Sequence, residues 1–346
     1  MRRKRALALT AVLATAALSV AACGSSNSGG GGGGVSKKTV KVGLAFDIGG
    51  RGDKSFNDAA YTGLQKVKSD LNIDSKELSA APGEPEAAKE TRLKLLASGG
   101  YNPVVAVGFA YAGAVKKIAP QFPNTKFALI DSTDTLAPNV SNLVFAEEQG
   151  SFLVGAAAAL KSKSKNVGFI GGVQVPLIGK FEAGYKAGVA AVDKNIKVQV
   201  KYLTQPPDFT GFNDPAKGKT AAEGMYDAGA DVVYAAAGGS GTGVFQAAKG
   251  KGKLAIGVDS DQYQSAAADL KPVIMTSMLK RVDTAVFNFV KDFGDGNFKA
   301  GPLIFDLKSD GVGYSKSGGQ VDDIASKLDD YKQQIIDGKI QVPTKP

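Results

Sequence analysis

From residue 40 to the C-terminus, short apolar runs rich in β-branched residues alternate with segments of helical periodicity. Runs at 40–46, 75–80, 103–107 and 126–130 read as strands, and segments following residue 55 and at 86–97, 113–119 and 151–160 read as helices. Ser55-Phe56-Asn57-Asp58 fits a Ser-x-x-Asp capping pattern that starts the first helix. A second set follows. It has strands at 166–170, 197–203, 231–236 and 254–258, and helices at 178–192, 216–228 and 243–249. Strands at 273–277 and 302–307 and helices at 282–293 and 322–336 complete the chain. Strands alternating with helices demand α/β layers around mainly parallel sheets. Two successive sets in a 346-residue chain predict two similar lobes.

The first residues follow another logic. Arg2, Arg3, Lys4 and Arg5 precede an uncharged Ala/Leu/Val stretch over 6–22, the layout of a secretory signal peptide. The run Val20-Ala21-Ala22-Cys23-Gly24 resembles the bacterial lipobox, which implies cleavage before Cys23 and lipidation of its sulfur. Cys23 is the only cysteine, so no intramolecular disulfide is possible. Residues 23–38, with six consecutive glycines, read as a flexible tether. The formal charge of +9 falls to +5 once the four basic residues of 1–22 are set aside, which removes most of the argument for a nucleic-acid partner.

The chain has no His and no Trp. Ser-His-Asp and Cys-His catalysis and His-ligated zinc are excluded by composition. No metal-ligand spacing or triphosphate motif is present, and no cofactor is expected. Open parallel sheets bind ligands just beyond the carboxyl ends of their strands. The residues there are Asp47, Asp131, Gly171-Gly172, Gly238-Gly239, Asp259 and Lys280. Each alone is an ordinary strand terminator. Together they describe a cleft whose carboxylates call for a ligand rich in hydroxyl and amine donors, with Lys280 compensating one charge. Phe56 and Asn57 open the first helix near Asp47, and Phe209 and Phe212 lie in a Pro/Gly-rich loop. A flat ligand stacked between rings suits both segments. Asp47, Asp259 and Asp261 could also serve a carboxylate-using hydrolase, but no His stands by as a leaving-group acid. Arg51-Gly52-Asp53 is an RGD tripeptide by letters only.

The segment Asp47 to Asn57 (DIGGRGDKSFN) resembles the opening motif of the basic membrane protein family of lipoproteins, the substrate-binding proteins of purine-nucleoside ABC transporters. Further matches follow in family order at 127–132 (FALIDS), 168–172 (GFIGG), 235–239 (AAAGG), 256–262 (IGVDSDQ) and 276–283 (TSMLKRVD). The resemblance implies a type I periplasmic-binding fold of two Rossmann-like lobes. One lobe would comprise 39–146 plus 273–299 and the other 147–272 plus 300–346, with hinge crossings near 146, 272 and 300. It further implies a lipid-anchored extracytoplasmic protein that captures a nucleoside by hinge closure and delivers it to permease subunits, without turnover. By motif position, Asn57 and Asp131 would hydrogen-bond the base, and Phe56 or a neighbour would sandwich it with Phe212. Asp259, Lys280 and the Gly238–Gly239 backbone would hold the ribose, and Asp47 would add a contact. Arg51 departs from the small or acidic residue many members carry in the turn. Which loop phenylalanine stacks stays open between Phe209 and Phe212. A sugar-binding protein of the same fold and a ligand-sensing surface lipoprotein are the alternatives.

Overall fold

A computed structural model describes residues 40–346 other than 72 and 82. The leader at 1–22, Cys23 and the tether to 38 lie outside the described residues. The first half of the chain runs β1 (Lys41–Ala45), α1 (Phe56–Leu71), β2 (Asp74–Leu78), α2 (Glu86–Ser98), β3 (Val104–Ala106), α3 (Ala112–Ile118), β4 (Phe127–Ile130) and β5 (Val140–Phe145). The next set runs α4 (Glu147–Lys161), β6 (Asn166–Val173), α5 (Pro176–Val192), β7 (Lys197–Thr204), α6 (Pro215–Asp227), β8 (Val232–Ala236), α7 (Gly241–Lys251), β9 (Leu254–Asp259) and the single turn α8 (Gln262–Ser265). It is followed by β10 (Ile274–Lys280), α9 (Val282–Gly294), β11 (Gly301–Phe305), β12 (Val312–Tyr314) and α10 (Ala325–Ile336).

Among the described residues these strands form two six-stranded sheets, ordered β11-β5-β4-β3-β1-β2 and β12-β10-β9-β8-β6-β7. All pairings are parallel except β10 with β12. In each sheet the order reverses beside the first strand, so the topological switch point falls between β1 and β3 in one lobe and between β6 and β8 in the other.

The continuous apolar runs follow from burial on both faces. In the first sheet Val42, Leu44, Val105 and Ile130 face one core, while Ala45, Val104, Ala106 and Leu129 face the other beneath α2 and α3. In the second, Phe169, Tyr234 and Ile256 pack toward α4 and α5, and Ile170, Val233 and Ala255 toward α6 and α7. Each fully buried Val, Leu, Ile or Phe contributes roughly 1.5–3 kcal/mol. The first-named sets of the two sheets belong to one continuous core that runs through both lobes, and each lobe adds a separate core on its other face.

The lobe boundaries differ from the sequence expectation. The strand expected in the first lobe after 272 is β10, which pairs with β9 in the second sheet. The strand expected in the second lobe after 300 is β11, which pairs with β5 in the first. The chain therefore crosses at Ala146, at Arg281 and at Asp306–Leu307, with Ala146 N donating to Phe305 O and Arg281 N to Gly311 O. A lone apolar strand carries no local mark of its sheet, because partner choice depends on distant edges.

Three elements were not foreseen: β5, the single turn α8 and β12. In β5 the apolar run is broken by Ser141 and Asn142, yet both are fully buried. Asn142 Nδ2 donates to Ser132 O (2.8 Å) and Thr135 O (3.0 Å), which satisfies both amide N–H groups, while its Oδ1 is buried without a partner. The three-residue β12 is too short to read as a periodic run.

Candidate ligand-binding site

The start of α1 is fixed by a carboxylate other than the expected cap. Asp53 accepts the backbone N–H groups of Ser55 (2.9 Å), Asn57 (2.8 Å) and Asp58 (3.1 Å). Asp58 reaches back to the N–H groups of Gly52 (2.9 Å) and Lys54 (3.0 Å), so the reciprocal half of the capping box survives with new partners. Asp53 is buried, which keeps Arg51-Gly52-Asp53 from being presented as an exposed tripeptide. Ser55, freed from capping, turns its hydroxyl across the interlobe cleft to Asp259 (2.6 Å).

The facing strand ends line a cavity between the lobes, with polar and aromatic side chains on its wall. The first lobe supplies Asp47 after β1, Phe109 after β3 and Asp131 after β4. The second supplies Gly238 after β8, Asp259 at the end of β9 and Lys280 at the end of β10. Phe56 and Asn57 from α1, Phe212 from the loop before α6, and Leu177, Ile178 and Phe181 from α5 complete most of the wall. Of the residues expected from sequence, Asp47, Phe56, Asn57, Asp131, Phe212, Gly238, Asp259 and Lys280 thus meet at one cavity. Gly239 does not; a Cβ there would lie 2.9 Å from Asn213 Oδ1 and 3.7 Å from Asp53 Cα, so it belongs to the seam between lobes.

Lys280 organises the electrostatics. Its ammonium lies 2.6 Å from Asp131 Oδ2 and 3.3 Å from Glu147 Oε1, with all three side chains almost fully buried. It also sits about 5.0 Å from the ring centres of Phe56 and Phe145. Burial works against this ammonium, but Asp131, Glu147 and Asp259 outweigh it and hold its pKa above the usual lysine value. Glu147 pairs in turn with Lys180, which also lies 3.3 Å from Glu148 Oε2.

The carboxylates are less comfortable. Burial raises Asp131 against the opposing pull of Lys280, and raises Asp259 against Lys280 and the Ser55 hydroxyl. Asp47 is pushed up to about 7 by burial, partly offset by the Ile48 N–H 2.7 Å from Oδ1. Asp53 is pushed up to about 6 despite its hydrogen bonds. Asp131 (φ 67°) and Asp259 (φ 63°) both adopt the left-handed backbone region, uncommon outside glycine and typical of functional sites. Asp131 Oδ1 is buried without a hydrogen-bond partner in the protein.

Asn57 is fully engaged. Its Oδ1 accepts from Asp47 N (2.9 Å), and its Nδ2 donates to Asp53 Oδ2 (3.0 Å) and Ile48 O (3.4 Å). Asn57 thus lines the cavity and also holds the Asp47 loop in place. Phe212 lines the cavity, whereas Phe209 does not; both meet Phe109 across the cleft, at centroid distances of 6.5 and 6.0 Å. Two glycines make these positions possible. A Cβ on Gly172 would lie 2.5 Å from the Phe212 ring, and one on Gly108 (φ +102°) would lie 2.0 Å from Asp47 Oδ2.

Phe109 obeys the strand-end rule that found its neighbours but was not singled out. The α5 residues carry no such signal, since they lie on a helix rather than at a strand end, and neither does Glu147, which meets Lys280 from the start of α4 without lining the cavity. Among the described residues no carboxylate group has metal-site geometry, and no helix is long and apolar enough to cross a membrane.

Two α/β lobes joined by three crossings, with facing strand ends around a polar and aromatic cavity, define a solute-binding protein of the type I periplasmic class. Residues 40–346 match the family described as "ABC transporter substrate-binding protein PnrA-like", and the chain belongs to it. This is a family of solute-binding proteins, not of enzymes. The chain is 36% identical over 362 aligned residues to a "CD4+ T-cell-stimulating antigen" of Listeria monocytogenes, covering 100% of this chain and 99% of the relative. It is 34% identical to the "ABC transporter nucleoside-binding protein BmpA" of Lactococcus lactis, covering 99% and 100%. A crystal structure of an ABC transporter solute-binding protein from Aeropyrum pernix superposes with a TM-score of 0.76 at 29% identity, covering 88% of this chain and 93% of that one.

Proposed function

We propose that this protein captures a nucleoside, with a purine base, in the interlobe cavity and delivers it to the permease of an ABC importer. The observation that carries this is Asp131. One carboxylate oxygen is held by Lys280, and the other is buried, unpartnered and set in a wall of aromatic rings. A buried acceptor of this kind favours a ligand with an N–H or O–H donor. The rings of Phe212, Phe109 and Phe56 favour a flat aromatic body. The carboxylates of Asp47 and Asp259 suit hydroxyl donors such as those of ribose. The naming of the Lactococcus relative supports the same class. Capture proceeds by hinge closure, the ligand favouring the closed state by touching both lobes. No bond is made or broken.

The protein is anchored by lipid at Cys23 on the extracytoplasmic face of the cell membrane, with residues 24–38 as tether. Metabolic labelling with a fatty acid checks this: Cys23→Ser should lose both label and membrane retention. Calorimetry with inosine, guanosine, adenosine, uridine, cytidine and free ribose tests the ligand. Purine nucleosides should bind in one-to-one stoichiometry; binding of ribose alone, or of none of these, would sink the reading.

A further inference from the structure

At the margin of the cavity, two short segments from opposite lobes are stitched directly together. Ser55 Oγ donates to Asp259 Oδ2 at 2.6 Å. In return, Ser260 Oγ donates to Ser55 O at 2.9 Å, and Gln262 Nε2 to Lys54 O at 3.0 Å. Ser55 is fully buried but does not line the cavity. The second-lobe side is a preformed unit, since Gln262 Oε1 also accepts Val258 N (2.9 Å) and Gln262 N donates to Ser277 Oγ (3.1 Å). Lys54 (φ 53°) and Asp259 (φ 63°), one on each side of the seam, both hold left-handed backbone conformations. Such conformations persist where surrounding contacts over-determine them.

We infer that Ser55 is a positioning residue for ligand capture: with Ser260 and Gln262 it forms a latch that joins the lobes without touching ligand and aims the Asp259 carboxylate. The latch rests on reading this cleft as the place where closure captures ligand. It sets the fraction of molecules in the closed form, and that fraction scales apparent affinity equally for every ligand. Direct ligand contacts, by contrast, discriminate between ligands.

Hydrogen–deuterium exchange of the intact lipoprotein without added ligand tests the latch. Ser55→Ala is expected to raise exchange about two- to tenfold in two places at once, at the start of α1 and at residues 258–262 of the other lobe. Ser260→Ala should do the same from the opposite side, and it decides the matter if Ser55→Ala fails to fold. A rise confined to the substituted lobe, or no rise, overturns the proposal. In titrations, both variants should weaken every binding nucleoside by one common factor; a change in the ranking of nucleosides also overturns it. The exchange measurement uses no nucleoside, so a wild type that binds none fails the nucleoside reading while the latch is still judged.

Discussion

Asp131 and Lys280 form a buried ion pair, yet their removal should have opposite consequences. Replacing Lys280 with Met leaves Asp131, Glu147 and Asp259 facing one another without their shared cation. Breaking a buried pair in this way costs about 3–5 kcal/mol. At about 2–4 °C per kcal/mol for a body of this size, the melting temperature should fall by roughly 6–20 °C. Replacing Asp131 with Asn is milder. Burial already opposes the Asp131 charge, the amide retains an acceptor for Lys280, and Lys280 keeps Glu147 at 3.3 Å. The melting temperature should stay within about 3 °C of wild type. Binding should suffer instead, because a hydrogen bond from ligand to a carboxylate is worth about 1.5–3 kcal/mol, or roughly 10- to 150-fold in Kd. Differential scanning calorimetry paired with ligand titration reads both. If Asp131→Asn destabilised as much as Lys280→Met while leaving affinity intact, Asp131 would be a structural anchor and the reasoning would fail.

The pH dependence has a defined sign. Asp47 and Asp53 titrate near 7 and 6 in the folded protein, against about 3.8 unfolded, so the native state holds the extra protons between those values. Stability should therefore fall as pH rises from about 4 to 7 and level off above it, and Asp47→Asn should flatten the upper part of that melting profile. Phe212→Ala should weaken nucleoside binding by about 1–3 kcal/mol, the worth of a stacked base, with Phe209→Ala nearer wild type; equal losses would place both rings on the ligand. Gly108→Ala drives a methyl into Asp47 at a positive φ and should lower both melting temperature and affinity, with an unchanged protein arguing that the Asp47 loop is not tightly held.

Much of the site was legible because it obeys a local rule. Asp47, Asp131, Asp259 and Lys280 each follow an apolar run, and parallel sheets put such positions on one edge. Phe109 was legible by the same rule. What escaped depends on distant partners. Asn57 lines the cavity, but the bonds its amide makes to Asp47, Ile48 and Asp53 carry no local signal in the sequence. Ser55 resembles a helix cap, yet Asp53 takes that work and Ser55 bonds a residue 204 positions away. The sheet memberships of β10 and β11 turn on which edge strand each finds, and β5 hid because Ser141 and Asn142 break its apolar run, the Asn142 N–H groups being taken up by distant loop carbonyls.

A crystal structure of the protein grown with a purine nucleoside tests the central claim most directly. It should place the base beside Phe212, with a base N–H or ribose O–H within about 3.2 Å of Asp131 Oδ1 and ribose hydroxyls on Asp47 or Asp259. A nucleoside bound outside this cavity, or inside it with Asp131 Oδ1 still lacking a partner, would contradict the account.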